Sequence, residues 1–160
     1  GYLKNRGIDN LTVVSPDVGG LKMSDAYAQA LDAPLAIVGK RRISATEVEA
    51  LNLIGEVEGK DVMLVDDMTE TAGTLCSAAQ MLKENGAGKI YAGVSHGVLG
   101  EIGIQRLKDS CIEELITTDS TPMAKGEKVT VVSVASLLGE GIRRIENDES
   151  VTSLFDIANK

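Results

Sequence analysis

The chain has 160 residues, 43% of them apolar and 25% charged, which suits one globular domain with its own core and excludes a disordered chain. Its 24 acids against 16 bases give a formal charge of −8, and its aromatics are three Tyr and one Phe. Both facts argue against nucleic acid as a partner, since duplex binding neutralises phosphates and single-strand binding needs aromatic faces. No apolar run is long enough to span a bilayer, so no membrane partner is expected. Cys76 and Cys111 show no metal-ligand or redox spacing and read as reduced thiols, and the expected compartment is the cytoplasm. Gly1 stands where an initiator Met is expected, which reads as the mark of a cut chain.

The elements then follow in a repeating order. Leu11–Ser15 is a β-branched run halted by Pro16, and Leu21–Leu31, after Gly19 and Gly20, is rich in helix formers. Residues 34–38 form a second apolar run ended by Gly39, and residues 40–46 form a basic loop. Residues 61–65 make a third strand that stops at Asp66-Asp67. Leu75, Ala78, Ala79 and Leu82 recur at helical spacing until Asn85-Gly86 closes the helix. Residues 89–95 predict a strand, 102–108 a short helix, and 114–118 and 129–134 two further strands. Val134, Leu137, Leu138, Gly141, Ile142 and Ile145 mark a final helix. Strands alternating with helices at this spacing predict one α/β domain over residues 1–160, a mainly parallel sheet with helices on both faces. In such sheets ligands sit beyond the carboxyl ends of the strands, so the loops at 16–20, 40–46 and 66–74 draw attention first.

The segment Asp66-Asp67-Met68-Thr69-Glu70-Thr71-Ala72-Gly73-Thr74 leaves a strand and enters a helix. Gly73 is expected to let the backbone turn, with N–H groups at the positive end of the helix dipole. The hydroxyls of Thr69, Thr71 and Thr74 add donors for a phosphate monoester. Two carboxylates suit sugar hydroxyls or a divalent cation. Phosphate at one end and a diol at the other describe a ribose 5-phosphate. The plainer reading, acids ending a strand and a threonine capping a helix, stands beside it.

At this point the residues resemble a family. Residues 65–75 are similar to the phosphoribosyl-binding motif of the type I phosphoribosyltransferase fold, and more narrowly to that of ribose-phosphate diphosphokinases. The resemblance continues through Pro16-Asp17-Val18-Gly19-Gly20, Gly39-Lys40-Arg41-Arg42, His96-Gly97-Val98-Leu99, Ile142-Arg143-Arg144-Ile145 and residues 149–155. It covers nearly the whole chain and matches the C-terminal half of that enzyme. It implies a three-layer fold. It implies that Asp66 and Asp67 hold the ribose hydroxyls and that Glu70, Thr71, Ala72, Gly73 and Thr74 cradle the 5-phosphate. Asp17, with Gly19 and Gly20, would serve the magnesium and pyrophosphate side, and Lys40 and Arg42 would be the catalytic cations on the transferring group. The implied reaction moves the β,γ-diphosphoryl unit of ATP onto the C1 hydroxyl of ribose 5-phosphate, giving phosphoribosyl diphosphate and AMP, with Mg2+ as cofactor. The implied assembly is a homo-oligomer, at least a dimer.

His96, the chain's one histidine, has no acid or nucleophile spaced to pair with it and reads as structural. Three departures from the usual pattern stand out. Glu70 replaces an Asp, Met23 and Asp25 replace arginines, and Gly100-Glu101-Ile102-Gly103 replaces a Ser-Gly-Pro turn. Because most ATP contacts belong to the family's other half, this half alone is expected not to turn over. Two alternatives are a nucleobase phosphoribosyltransferase and a regulatory phosphoribosyl-binding subunit without catalysis.

Overall fold

β-branched runs and helix formers alternate along the chain, and the computed structural model turns them into strands and helices in that order. It describes residues 2–3, 6–41, 50–122 and 125–155. The elements are β1 (Leu11–Ser15), α1 (Leu21–Leu31), β2 (Leu35–Arg41), β3 (Ala50–Ile54), β4 (Asp61–Thr69) and α2 (Gly73–Glu84). They continue with β5 (Ile90–Gly97), α3 (Glu101–Asp109), β6 (Ile112–Thr118), β7 (Val129–Val132) and α4 (Ala135–Glu146). A single 3-10 turn follows at Thr152–Leu154.

The strands form one seven-stranded sheet in the order β3-β2-β1-β4-β5-β6-β7. All neighbours are parallel except β2 and β3. Successive strand residues point to opposite faces, and the core divides accordingly. On one face Val14, Leu64, Ala92 and Leu115 pack with Leu75 and Leu82 of α2 and Leu107 of α3. On the other, Val13, Met63 and Val65 pack with Met23, Tyr27 and Ala28 of α1. The α/β sheet covered on both faces is therefore as expected.

From β1 the chain proceeds outward to β2, and from β4 it proceeds outward the opposite way, to β5. Crossovers of one hand running in opposite directions put α1 and α2 on opposite faces. The order reverses between β1 and β4, so the segments leaving these two strands face each other across a crevice.

Three differences from the sequence reading bear on the site. β3 was not expected; Leu51 and Leu53 alternate with polar Asn52, the period-2 signal of a strand. It pairs antiparallel with β2, Lys40 opposite Leu51 and Arg41 opposite Ala50, so Lys40 lies on a strand and not in the basic loop. β4 also runs on past Val65 to Thr69, because Met68 and Thr69 find partners in His96 and Gly97 of β5.

Candidate functional site

Asp66 and Asp67 ride on the extended end of β4, with Asp66 paired in register to Val94 of β5. They were expected to begin a loop; hydrogen bonding to β5 instead fixes their backbone. The Asp67 N–H donates to Asp66 Oδ1 at 2.9 Å. Burial pushes the Asp66 carboxyl above its ordinary range, and the charges of Asp67 and Asp17 push it further, against the Asp67 N–H. Asp17 lies close by, across the crevice: a Cβ on Gly20 would stand 3.9 Å from Asp17 Oδ1 and 4.0 Å from the Val65 carbonyl oxygen of β4. Two adjacent carboxylates at a strand end suit hydroxyl donors, and with substrate phosphates a hard cation.

Asp17 follows β1. Its Oδ1 accepts the Gly20 N–H at 3.0 Å, and Ser15 Oγ donates to its backbone carbonyl at 2.7 Å. The side chain thus makes the turn into α1, while its charge still reaches Asp66. Gly19 and Gly20 complete that turn.

The loop from Glu70 to Gly73 joins β4 to α2. Gly73 is not the residue that turns the backbone: Ala72 is, left-handed at φ 55°, ψ 13°. A left-handed non-glycine residue costs roughly 1–2 kcal/mol, so the surrounding structure holds it. Gly73 has a different reason to be glycine. A Cβ there would stand 3.1 Å from Arg106 Nη1 and 3.4 Å from Thr71 Oγ1. The helix N-cap position is Ala72, and no side chain caps α2, so neither Thr71 nor Thr74 plays the capping part. The first turn of α2 presents its N–H donors beside the exposed side chains of Thr71 and Thr74. Glu70 is exposed and Thr69 buried.

Lys40 lies on β2, parallel to β1, toward the same end of the sheet. Arg42 falls outside the described residues. His96 is the last residue but one of β5 and shares a 2.8 Å hydrogen bond with Ser120 Oγ, in a network with Thr118 and Ser95. The Gly100-to-Gly103 departure is the first turn of α3, not a turn between elements. The sequence reading passed over Arg106, whose Nη1 donates to the Thr71 carbonyl at 2.8 Å. No local signal marks it, because its partner lies 35 residues away. A shallow groove of about 670 Å³ between α2 and α3, lined partly by Cys76, Gln80 and Arg106, lies behind this loop.

Comparison with known proteins bears on the same residues. The family described as a phosphoribosyl synthetase-associated domain matches residues 41–156. A ribose-phosphate pyrophosphokinase of Bordetella pertussis is 48% identical over 159 residues, spanning 97% of this chain and 51% of its own length. One from Synechocystis sp. is 47% identical, over 96% of this chain and 47% of its own. The crystal structure of a phosphoribosylpyrophosphate synthetase from Mycobacterium smegmatis superposes with a TM-score of 0.85 at 33% identity. It covers 92% of this chain and 49% of that one. An APRTase from Giardia lamblia, at TM-score 0.57 and 18% identity over 72% of each chain, shares the fold alone. The chain spans about half the length of the curated relatives it matches.

Proposed function

The chain belongs to the phosphoribosyl synthetase-associated family, and on that premise we propose that it is the ribose-5-phosphate-binding half of a ribose-phosphate diphosphokinase. The observation that carries this reading is the succession, among the described residues, of carboxylates and unpaired helix donors along one segment beside the crevice. Asp66 and Asp67 sit on a strand, and four residues on, a loop with uncapped helix donors and threonine hydroxyls begins. Asp66 and Asp67 accept hydrogen bonds from the ribose hydroxyls and orient the ring. Glu70 to Thr74 hold the 5-phosphate through backbone N–H groups and the hydroxyls of Thr71 and Thr74. Holding both ends leaves the C1 hydroxyl presented for attack on the β-phosphorus of ATP. The P–O bond to the α-phosphate breaks and AMP leaves. Lys40 and Arg42 stabilise negative charge on the transferring diphosphoryl group, work that is mostly electrostatic.

Mg2+ fits the donor set. Among the described residues no group of three acids, cysteines or histidines forms a ready metal cage. Mg2+ does not need one, since it binds through one or two carboxylates plus substrate phosphates. Asp17, with Asp66 or Asp67, supplies hard oxygens whose mutual repulsion a cation relieves. When bound, it neutralises polyphosphate charge in an acidic domain. The protein acts in the cytoplasm as a homo-oligomer, at least a dimer. No helix of the described residues is long and apolar enough to cross a membrane.

Calorimetry with ribose 5-phosphate and phosphoribosyl diphosphate tests the reading. The folded chain binds one or both; absence of heat at millimolar ligand overturns it. The chain alone makes no AMP from ATP and ribose 5-phosphate, and joining it to the other half of a full-length relative restores turnover. There Lys40→Ala lowers kcat, and Asp66→Ala raises KM.

A further inference from the structure

Helix α3 touches the phosphate loop from behind with two residues three apart, hence on one helix face. Gly103 is buried against the loop: a Cβ there would stand 2.9 Å from the Glu70 carbonyl oxygen and 3.4 Å from the Thr71 carbonyl carbon. Leu99 Cδ2 would be nearer still, at 2.5 Å, but it is a side-chain end that can shift. The two loop atoms are backbone, so a side chain at 103 has to push α3 and the loop apart. One turn on, Arg106 Nη1 donates to the Thr71 carbonyl at 2.8 Å and lies over the Cα of Gly73. We infer that Gly103 and Arg106 are positioning residues for phosphate binding, a brace that sets the direction of the loop's N–H donors.

The reason lies in peptide geometry. In a planar trans peptide the carbonyl of one residue and the N–H of the next point in opposite directions. Drawing the Thr71 carbonyl toward α3 therefore aims the Ala72 N–H away from α3. The same bond takes the negative end of that carbonyl out of an anion's reach. It also helps to hold Ala72 left-handed, a conformation that costs energy whenever the loop relaxes. Arg106 thus acts through the loop backbone, and nothing in this arrangement requires it to touch the sugar phosphate.

The inference rests on the phosphate-binding reading above, so its experiment has two arms. In the first, ribose 5-phosphate is titrated into the chain and into Arg106→Met, Arg106→Lys and Gly103→Ala, with urea midpoints recorded for each. The expected result is five- to twenty-fold weaker binding for Arg106→Met and Gly103→Ala, with most of the loss recovered in Arg106→Lys. A general structural role would instead move the urea midpoints and leave the affinity of the folded variant unchanged. In the second arm, without ligand, amide hydrogens at residues 72–75 exchange at least fivefold faster in Arg106→Met than in the parent, and Arg106→Lys slows them again. Affinities within twofold of the parent in both Arg106→Met and Gly103→Ala overturn the inference while the binding reading stands. A parent that binds nothing overturns the binding reading, and equal exchange rates then overturn the brace on its own terms. If Arg106→Met fails to fold, Gly103→Ala decides both arms.

Discussion

Helices α2 and α4 are each twelve residues long and each start at the carboxyl end of a strand, yet the protein treats them in opposite ways. At the start of α4 the chain supplies its own anion. The Val134 N–H donates to Asp119 Oδ1 at 2.8 Å and the Ala135 N–H to Ser133 Oγ at 3.2 Å. The Asp119 carboxyl is held below its ordinary range, foremost by the Ser133 hydroxyl and then by the Val134 N–H. Neither helix is capped by the side chain of its own N-cap residue, but among the described residues no neighbouring side chain meets the first N–H groups of α2 as Asp119 and Ser133 meet those of α4. Their flanks differ as sharply. α2 buries Leu75, Ala78, Ala79, Met81 and Leu82, while α4 buries none of its residues and leaves Ile142 and Ile145 each 69% exposed. A helix pressed firmly into the core points its donors in one fixed direction, and on the function proposed above α2 keeps those donors for a phosphate. The helix lying on the surface has its first two N–H groups met by Asp119 and Ser133.

The largest expected effect tests the flanks. Leu82 is fully buried, so Leu82→Ala removes a core side chain and costs about 2–5 kcal/mol in urea unfolding. Ile142→Ala changes a side chain exposed in both states and shifts stability by no more than about 0.5 kcal/mol. Equal costs for the two variants mean that α4 is covered too, and the contrast falls.

Next comes the start of α2. Thr74→Asp gives α2, like α4, a carboxylate beside its first N–H groups, supplied here by the first turn itself and not by a distant residue such as Asp119. It stabilises the chain by about 0.3–1 kcal/mol through the helix dipole. It also repels a phosphate, so ribose 5-phosphate binding weakens more than tenfold, about 1.4 kcal/mol. Thr74→Ala, which loses only a hydroxyl donor, weakens binding by about 1–2 kcal/mol without the gain in stability. Opposite signs for stability and affinity in Thr74→Asp are the sharp expectation. If both fall together, the first turn of α2 is not an anion site.

These two helices also show what the sequence could reveal. The apolar spacing in both is plain, and both helices form where expected. Spacing says which face is apolar, but only the sheet order says what meets it, and that order depends on pairings far apart in sequence. The same limit applies at the site. Asp66, Asp67 and the loop after them lie on one continuous segment, so their place beside one another was legible. Their mounting was not, because the strand continues past Val65 only through partners on β5. Ala72 looked ordinary, and Gly73 looked like the turn; the roles are reversed because Arg106 arrives from α3. Asp17 was singled out only through the resemblance; its local part, one oxygen closing the turn into α1, shows only in the structure.

A smaller effect sharpens the difference between an apolar and a polar attachment. The sheet edge that leads into α4 is tied at Glu114, which accepts from Tyr2 Oη at 2.8 Å, from Arg6 Nη2 at 2.5 Å and from the Thr130 hydroxyl. Burial alone raises the Glu114 carboxyl, but the hydrogen bonds from Thr130 and Tyr2 and the Arg6 charge outweigh it, and the carboxyl ends below its ordinary 4.5. A depressed carboxyl contributes stability above its unfolded value and loses it as pH falls through the folded one. Hydrogen exchange therefore loses protection in β6 and β7 below about pH 4 before it does so in α2. Tyr2→Phe removes one bond, costs about 0.5–1.5 kcal/mol at neutral pH, and shrinks that acid sensitivity. Uniform loss of protection across both regions breaks the comparison.

The smallest effect lies on the surface of α4 itself. Glu140 accepts from Arg143 Nε at 2.9 Å and from Arg144 Nε at 2.8 Å, and Arg143 also reaches Glu149 at 2.7 Å. Hydrogen bonds from Arg143 and then Arg144 bring the Glu140 carboxyl from 4.5 down to about 2. Its contribution is complete above the unfolded value of 4.5 and fades as pH falls through about 2. The groups are exposed, so solvent and salt screen them and the net contribution is slight. Glu140→Gln is therefore expected to lower the urea midpoint a little at neutral pH and low salt. The difference vanishes in molar salt and in strong acid. On α2 the matching surface pair is Gln80 donating to Glu84 at 2.8 Å. With a neutral donor, Glu84→Gln gives no comparable salt dependence. A Glu140→Gln shift that survives molar salt would show α4 to be held by groups shielded from solvent, and the two helices would then differ in partner rather than in burial.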